Sequence, residues 1–152
     1  MKRLKILNRK KAKEILNLID GQWGSNADLD FVFLVNETND DVFIAERDVF
    51  REDFEQLNVD SLGLYFGEMK KGSLRLSIEG SQIVGPSAKK NIVELDNGEA
   101  KLWLGGFDLE KSTDAEGYVL IRHNSMFMGT GRVKEGKILN FVPKARHIRA
   151  YL

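Results

Sequence analysis

The stretch GRVKEGKI, residues 131–138, has the G-x-x-x-x-G-K spacing of a phosphate loop. Such a loop needs Ser or Thr after the lysine to bind magnesium, and it must lead from a strand into a helix. Here Ile138 follows Lys137 and KILNFV reads as another strand, so the glycines are assigned to a hairpin turn at KEGK. GTG at 129–131 is half of a dinucleotide fingerprint without its helix, and it is set aside too. The two histidines, His123 and His147, lie far apart with no H-x-x-x-H partner, so neither a metal nor a cofactor is expected. Ser125 and Asp114 lie near His123, but nothing marks a nucleophile elbow or an oxyanion hole. The chain has no cysteine, which removes disulfides, thiolate metal sites and cysteine nucleophiles together. Acid–base work by paired carboxylates stays open, although the acids read as a solvated face. No catalytic residue is assigned, and the sequence favours binding over an enzyme.

The residues suited to binding are cations. NFVPKARHIRAYL, residues 140–152, holds Lys144, Arg146, His147 and Arg149 and no acid. This cluster sits in a chain whose formal net charge is zero, and that zero hides a segregation. Residues 28–60 hold eleven Asp or Glu against two Arg, a net of −9. Residues 117–152 hold seven Lys or Arg against Glu135 alone, a net of +6, and the first thirteen residues hold seven cations and no acid. Each run alone is compatible with a solvated face, but three separate blocks give the field a direction, and cationic surfaces attract phosphate-bearing partners. Pro143 ends the preceding strand and places Lys144 and Arg146 on an exposed turn. If HIRAYL is a strand with Ile148, Ala150 and Leu152 inward, then His147, Arg149 and Tyr151 share the outer face. Guanidinium groups suit phosphates or base edges and a phenol suits stacking, so this face reads as RNA-binding; Tyr151 could equally cover a barrel edge. Arg132, Lys134 and Lys137 extend the patch from the neighbouring hairpin, with Lys101 and the pair Lys89 and Lys90 as weaker candidates. Trp103 and Phe107 are assigned to the core.

The elements that must position these residues fall into two halves. A chain of 152 residues forms one ordinary domain or two small ones packed together. Asn8 caps a helix running to about Ile19, with Gly21 as its stop. FVFLVN and VFIAE are strands joined across ETNDD, and a short amphipathic helix with Val49, Phe50, Phe54 and Leu57 inward follows. LGLYFGEM and LRLSI form a hairpin across KKG. VGPSAKK, residues 84–90, marks the boundary, giving an α/β domain over 1–88 and a second domain over 89–152, joined without a flexible linker. Beyond it the pattern is all β: NIVELD, an Asn-Gly hairpin, EAKLWLGG, GYVLIRH, MFMGTGRV, KILNFV and HIRAYL, enough for a small closed barrel. The fold class is therefore α+β. No apolar stretch approaches the ~20 residues of a membrane helix, and the basic N-terminus lacks an apolar core for secretion. A cytoplasmic location and no membrane partner are the expectation.

GEAKLWLGGFDLEK followed by EGYVLIRHNSMFMGTGRVKEGKILNFVPKARHI resembles a PUA domain, the small RNA-binding β-barrel of pseudouridine synthases, archaeosine transglycosylases and ribosome-assembly factors. The resemblance rests on the turn at Gly98–Ala100, the LWLGG segment and the FMGTGRV strand at Phe127–Val133. The upstream GLYFGEMKKGSLRLSIEGSQIVGPSAKKNIVEL is similar to the pre-PUA half of the NIP family of ribosome-biogenesis proteins. The ending NFVPKARHI resembles the PUA tail of some Sun-type RNA cytosine methyltransferases. What this implies is an RNA-binding accessory protein acting on rRNA or tRNA, in ribosome biogenesis or RNA modification, with no chemistry of its own. A ribosome-assembly or RNA-modification protein is the implied second partner. An alternative is a protein-interaction adaptor that docks a basic protein through the acidic first half.

Overall fold

The computed structural model describes residues 4–26, 31–47 and 63–148. A short β1 (Leu4–Ile6) leads into α1 (Arg9–Trp23), where the Asn8 side chain accepts the Lys11 N–H at 2.9 Å. The helix passes through the expected stop at Gly21 and ends one turn later at Gly24, whose φ of 62° takes the left-handed cap conformation. The reason is Trp23, four residues beyond Ile19 on the same face and fully buried. Burying an indole outweighs the ~1 kcal/mol that a helical glycine costs.

A five-stranded antiparallel sheet packs beneath α1 in the order β1-β2-β3-β4-β5. Its strands are β2 (Phe31–Asn36), β3 (Asp41–Glu46), β4 (Leu64–Lys70) and β5 (Ser73–Leu76). The two expected hairpins are both present, with the second turning through Lys71 and Gly72 at φ of 48° and 82°. The helix expected around Val49–Leu57 lies outside the described residues. After β5 the sequence reading missed a helix, α2 (Ile78–Val84), which a 3₁₀ turn (Gly85–Ser87) extends. Ser77 caps α2 by accepting the Gly80 N–H at 3.0 Å, so the last two residues of LRLSI leave the strand.

The second sheet has the order β6-β8-β9-β10-β7 and curls into a half-barrel. Its strands are β6 (Ile92–Glu94), β7 (Leu109–Glu110), β8 (Tyr118–His123), β9 (Met126–Lys134) and β10 (Lys137–Asn140). One expectation is overturned between β6 and β7. The Asn-Gly hairpin and the EAKLWLGG strand are instead α3 (Asn97–Leu104). Asp96 accepts the Glu99 N–H at 2.8 Å while Glu99 accepts the Asp96 N–H at 3.0 Å, a capping box that turns Asn97-Gly98 into a first helical turn. Trp103 is thereby carried into the barrel, fully buried, and donates its indole N–H to the Met128 carbonyl at 2.8 Å. Phe107, expected in the core, is 52% exposed just past the helix.

Two cores meet at the second sheet. Ile15, Ile19 and Trp23 of α1 pack with Phe33, Ile44, Phe66 and Leu74, and also with Leu120 of β8 and Phe127 of β9. Val119 and Ile121 point the other way, into a cluster with Trp103, Leu109, Met128 and Ile138. Alternation along β8 thus gives one strand to both cores. The Trp23 indole also donates to the Tyr118 carbonyl at 3.0 Å.

Candidate nucleic-acid interface

The hairpin β9–β10 turns through Glu135 and Gly136, at φ of 49° and 78°, as expected for KEGK. It sets Lys134 directly opposite Lys137, with Arg132 two residues along the same face of β9. Arg132 is exposed and its guanidinium carbon lies 6.0 Å from the Tyr118 ring centroid. Lys137 pairs with Glu110 at 3.3 Å, and Lys101 lies exposed on α3.

The tail departs from its expected geometry. Lys144–Arg146 is a 3₁₀ turn after Pro143, which does leave Lys144 and Arg146 exposed. That turn breaks the two-residue alternation on which the facing of HIRAYL depended. His147 goes inward: Nε2 lies 2.8 Å from the Val142 carbonyl and the ring fills the space beside Gly106. A Cβ on Gly106 would lie 2.2 Å from that ring, and the residue's φ of +90° suits only glycine. Ile148, expected inward, is 45% exposed, while its N–H donates to the Leu104 carbonyl at 2.8 Å and docks the tail on the end of α3. His147 is therefore withdrawn from the outer face. Arg149 and Tyr151 lie outside the described residues. Arg146 donates from Nη1 to the Glu79 carboxylate on α2, an exposed ion pair between the tail and the first half.

The structure adds residues that the sequence reading left out. Tyr118 and Phe141 lie with ring centroids 6.2 Å apart, and the Arg75 guanidinium lies 4.5 Å from the Phe141 centroid. Arg132, Tyr118, Phe141 and Arg75 form a row, two rings between two guanidinium groups, that crosses from the second sheet to the first. Glu68 pairs with Arg75 at 2.7 Å and with Lys70 at 2.9 Å. Two clefts flank the row. One, of about 130 Å³, is lined by Tyr65, Arg75, Glu79, Thr130, Phe141 and Arg146. The other, of about 250 Å³, is lined by Lys70, Lys71, Ser73, Gly117, Tyr118 and Arg132. Burial in the first cleft pushes the Tyr65 phenol above its usual range, and the nearby Asp41 charge adds to this. Of this row the sequence names only Arg132 as a binding candidate, and the cationic hairpin tip KKG beside it reads as a turn.

Among the described residues no group of three His, Asp or Glu could hold a metal, and no helix is long and apolar enough to cross a membrane. What the row and clefts offer is phosphate pairing and stacking.

A curled half-barrel with a capped helix across it and a glycine-rich central strand defines a PUA-type domain. Residues 90–148 match the family model described as the methyltransferase RsmF PUA domain, and the fold of this segment is PUA-type. The Ribosomal RNA small subunit methyltransferase F of Vibrio vulnificus strain YJ016 is 24% identical over 89 residues, 59% of this chain and 19% of that protein. The protein of the same name from Aeromonas salmonicida strain A449 is 25% identical over 107 residues, 70% of this chain and 22% of that protein. The chain thus spans about a fifth of the length of the curated relatives it matches.

Proposed function

We propose that the chain is an RNA-binding accessory unit of ribosomal RNA modification with no chemistry of its own: residues 89–152 grip RNA, and residues 1–88 act as a pre-PUA half packed against them. The observation that carries this reading is the PUA-type fold over residues 90–148 with its cations on one side of a hairpin. Arg132, Lys134 and Lys137 share a hairpin face, and Lys144 and Arg146 lie on the exposed turn that follows. Only Lys137 and Arg146 of these five are tied to a carboxylate among the described residues. The name of the matched methyltransferases supports rRNA as the RNA. Ribosome biogenesis in the wider sense and a cytoplasmic site of action follow from the same reading.

A titration of the chain against small-subunit rRNA fragments at a series of salt concentrations tests it. With roughly 4–6 phosphates contacted, log affinity falls against log salt with a slope of about −3 to −4, from ~0.7 ion released per contact. Replacing Arg132, Lys134 and Lys144 together by Ala flattens the slope by about two units. The fold survives, because exposed substitutions shift stability by only ~0.5 kcal/mol each. Absence of measurable RNA affinity at low salt removes the reading.

A further inference from the structure

We propose that single-stranded RNA crosses the junction between the two halves, with bases on the Arg132–Tyr118–Phe141–Arg75 row and phosphates on Lys70, Lys71 and Arg132. This rests on the RNA-binding reading above and extends it to the first half, to which the family match does not reach.

The geometry supplies each part of such a track. The two clefts lie at opposite ends of the ring pair: Tyr118 lines the 250 Å³ cleft and Phe141 the 130 Å³ cleft. A strand leaving one cleft for the other must pass over the rings. The row is set before any ligand arrives. Glu68 fixes Arg75 at 2.7 Å, and Arg75 lies over Phe141 at 4.5 Å, so little side-chain freedom is lost on binding. Guanidinium planes and ring faces both accept a base, whichever base it is, which suits binding without sequence preference.

Charge selects the ligand. Lys71 and Arg132 have no carboxylate partner among the described residues, and Lys71 stands exposed at the tip of a hairpin with a φ of 48°. Lys70 and Arg75 share the single acid Glu68, so the cleft around Lys70, Lys71 and Arg132 stays cationic. Ser73 adds a hydroxyl to its lining. An acidic peptide could satisfy the cations but leaves the ring pair without a role. A duplex keeps its bases stacked inward, away from rings that are themselves half-buried in clefts. An unpaired strand uses both features.

The experiment is fluorescence anisotropy of the whole chain with a fluorescein-labelled uridine oligomer of about ten nucleotides, within the usual site size for such folds. Three variants are compared: Lys70→Gln with Lys71→Asn, Tyr118→Leu, and Tyr118→Phe. Asn is chosen at 71 because it tolerates the left-handed backbone there. The double variant should lose affinity about tenfold and flatten the salt slope by about one unit. Tyr118→Leu should lose about tenfold with the slope unchanged, and Tyr118→Phe should bind as the parent does. The Trp23 indole bonds to the main chain of residue 118, so these exchanges leave that bond in place. Should Tyr118→Leu fail to fold, photo-crosslinking of a 5-iodouridine oligomer to the parent chain gives the same decision. Adducts on Tyr118 or Phe141 support the track, and adducts confined to other residues overturn it. Unchanged affinity in both the double variant and Tyr118→Leu also overturns it. So does a duplex of equal length that binds as tightly, or polyglutamate that competes as well as RNA does. In those cases RNA binding by the parent chain leaves the broader reading standing; only its loss in the parent chain sinks both.

Discussion

Glu79 is the side chain that most directly restrains the tail, because its carboxylate accepts from Arg146 across the two halves. The pair is exposed, so its removal costs at most ~1 kcal/mol of stability. Glu79→Gln releases Arg146 to a phosphate and removes a nearby negative charge. RNA affinity should rise about twofold to fivefold at low salt, with the slope steeper by ~0.7, measured in the same titration. An affinity that falls shows that Glu79 contacts the ligand itself. Tyr65 gives a pH test. Its folded-state pKa is raised, first by burial and then by Asp41. A raised value favours the neutral phenol in the folded state. The stability this confers is complete below the ordinary tyrosine value of about 10 and is lost as pH rises from there through the folded value. Urea midpoints of the parent should therefore fall faster above pH ~10 than those of Tyr65→Phe. His147 shows what residue-level reading cannot see. Strand alternation with Ile148, Ala150 and Leu152 inward suggested an outer face, but a 3₁₀ turn and a gap beside Gly106, forty-one positions earlier in the chain, sent the ring inward.

At the scale of elements, two kinds of local signal competed between residues 96 and 104. Asn97-Gly98 favours a hairpin, while Asp96 and Glu99 close a capping box, and the box won because Trp103 then reaches the barrel interior. Asp96→Ala should cost about 1 kcal/mol and lower the unfolding midpoint without abolishing the fold. If α3 forms equally well without its cap, stability will not move, and tertiary packing of Trp103 alone holds the helix. The hairpins across ETNDD, KKG and KEGK were legible because positive-φ residues and alternating apolar patterns agree there. α2 was not legible, since only Ser77 announces it and its seven residues are too short to show a period. The PUA half was recognisable from its strand motifs even though one of its expected strands is a helix.

The whole molecule is held by sharing a strand between two cores. Leu120 is fully buried among α1 and the first sheet, while its neighbours Val119 and Ile121 are fully buried in the barrel. Leu120→Ala should destabilise by about 2–5 kcal/mol and should shift near- and far-ultraviolet unfolding curves together as one transition. Two separated transitions, or two stable fragments in limited proteolysis, count against the shared core. The row of cations and rings that crosses the junction belongs to this scale too. Arg75 and Phe141 are 66 positions apart, so no window along the sequence brings them together. Only the packing of the two sheets does.

The bond from Trp23 to the Tyr118 carbonyl spans 95 positions. On a ribosome adding ~5–20 residues per second, α1 is made about 5–20 s before the strand that covers it. During that wait Ile15, Ile19 and Trp23 have no finished surface to lie against, and closing so long a loop is slow in its own right. The first half is therefore born early and matures late. Lys10, Lys11 and Lys13, on the same helix, keep that waiting segment charged and apart from its neighbours. Translation speed across the β8 codons becomes a determinant of yield, since slow decoding there lengthens the exposed interval.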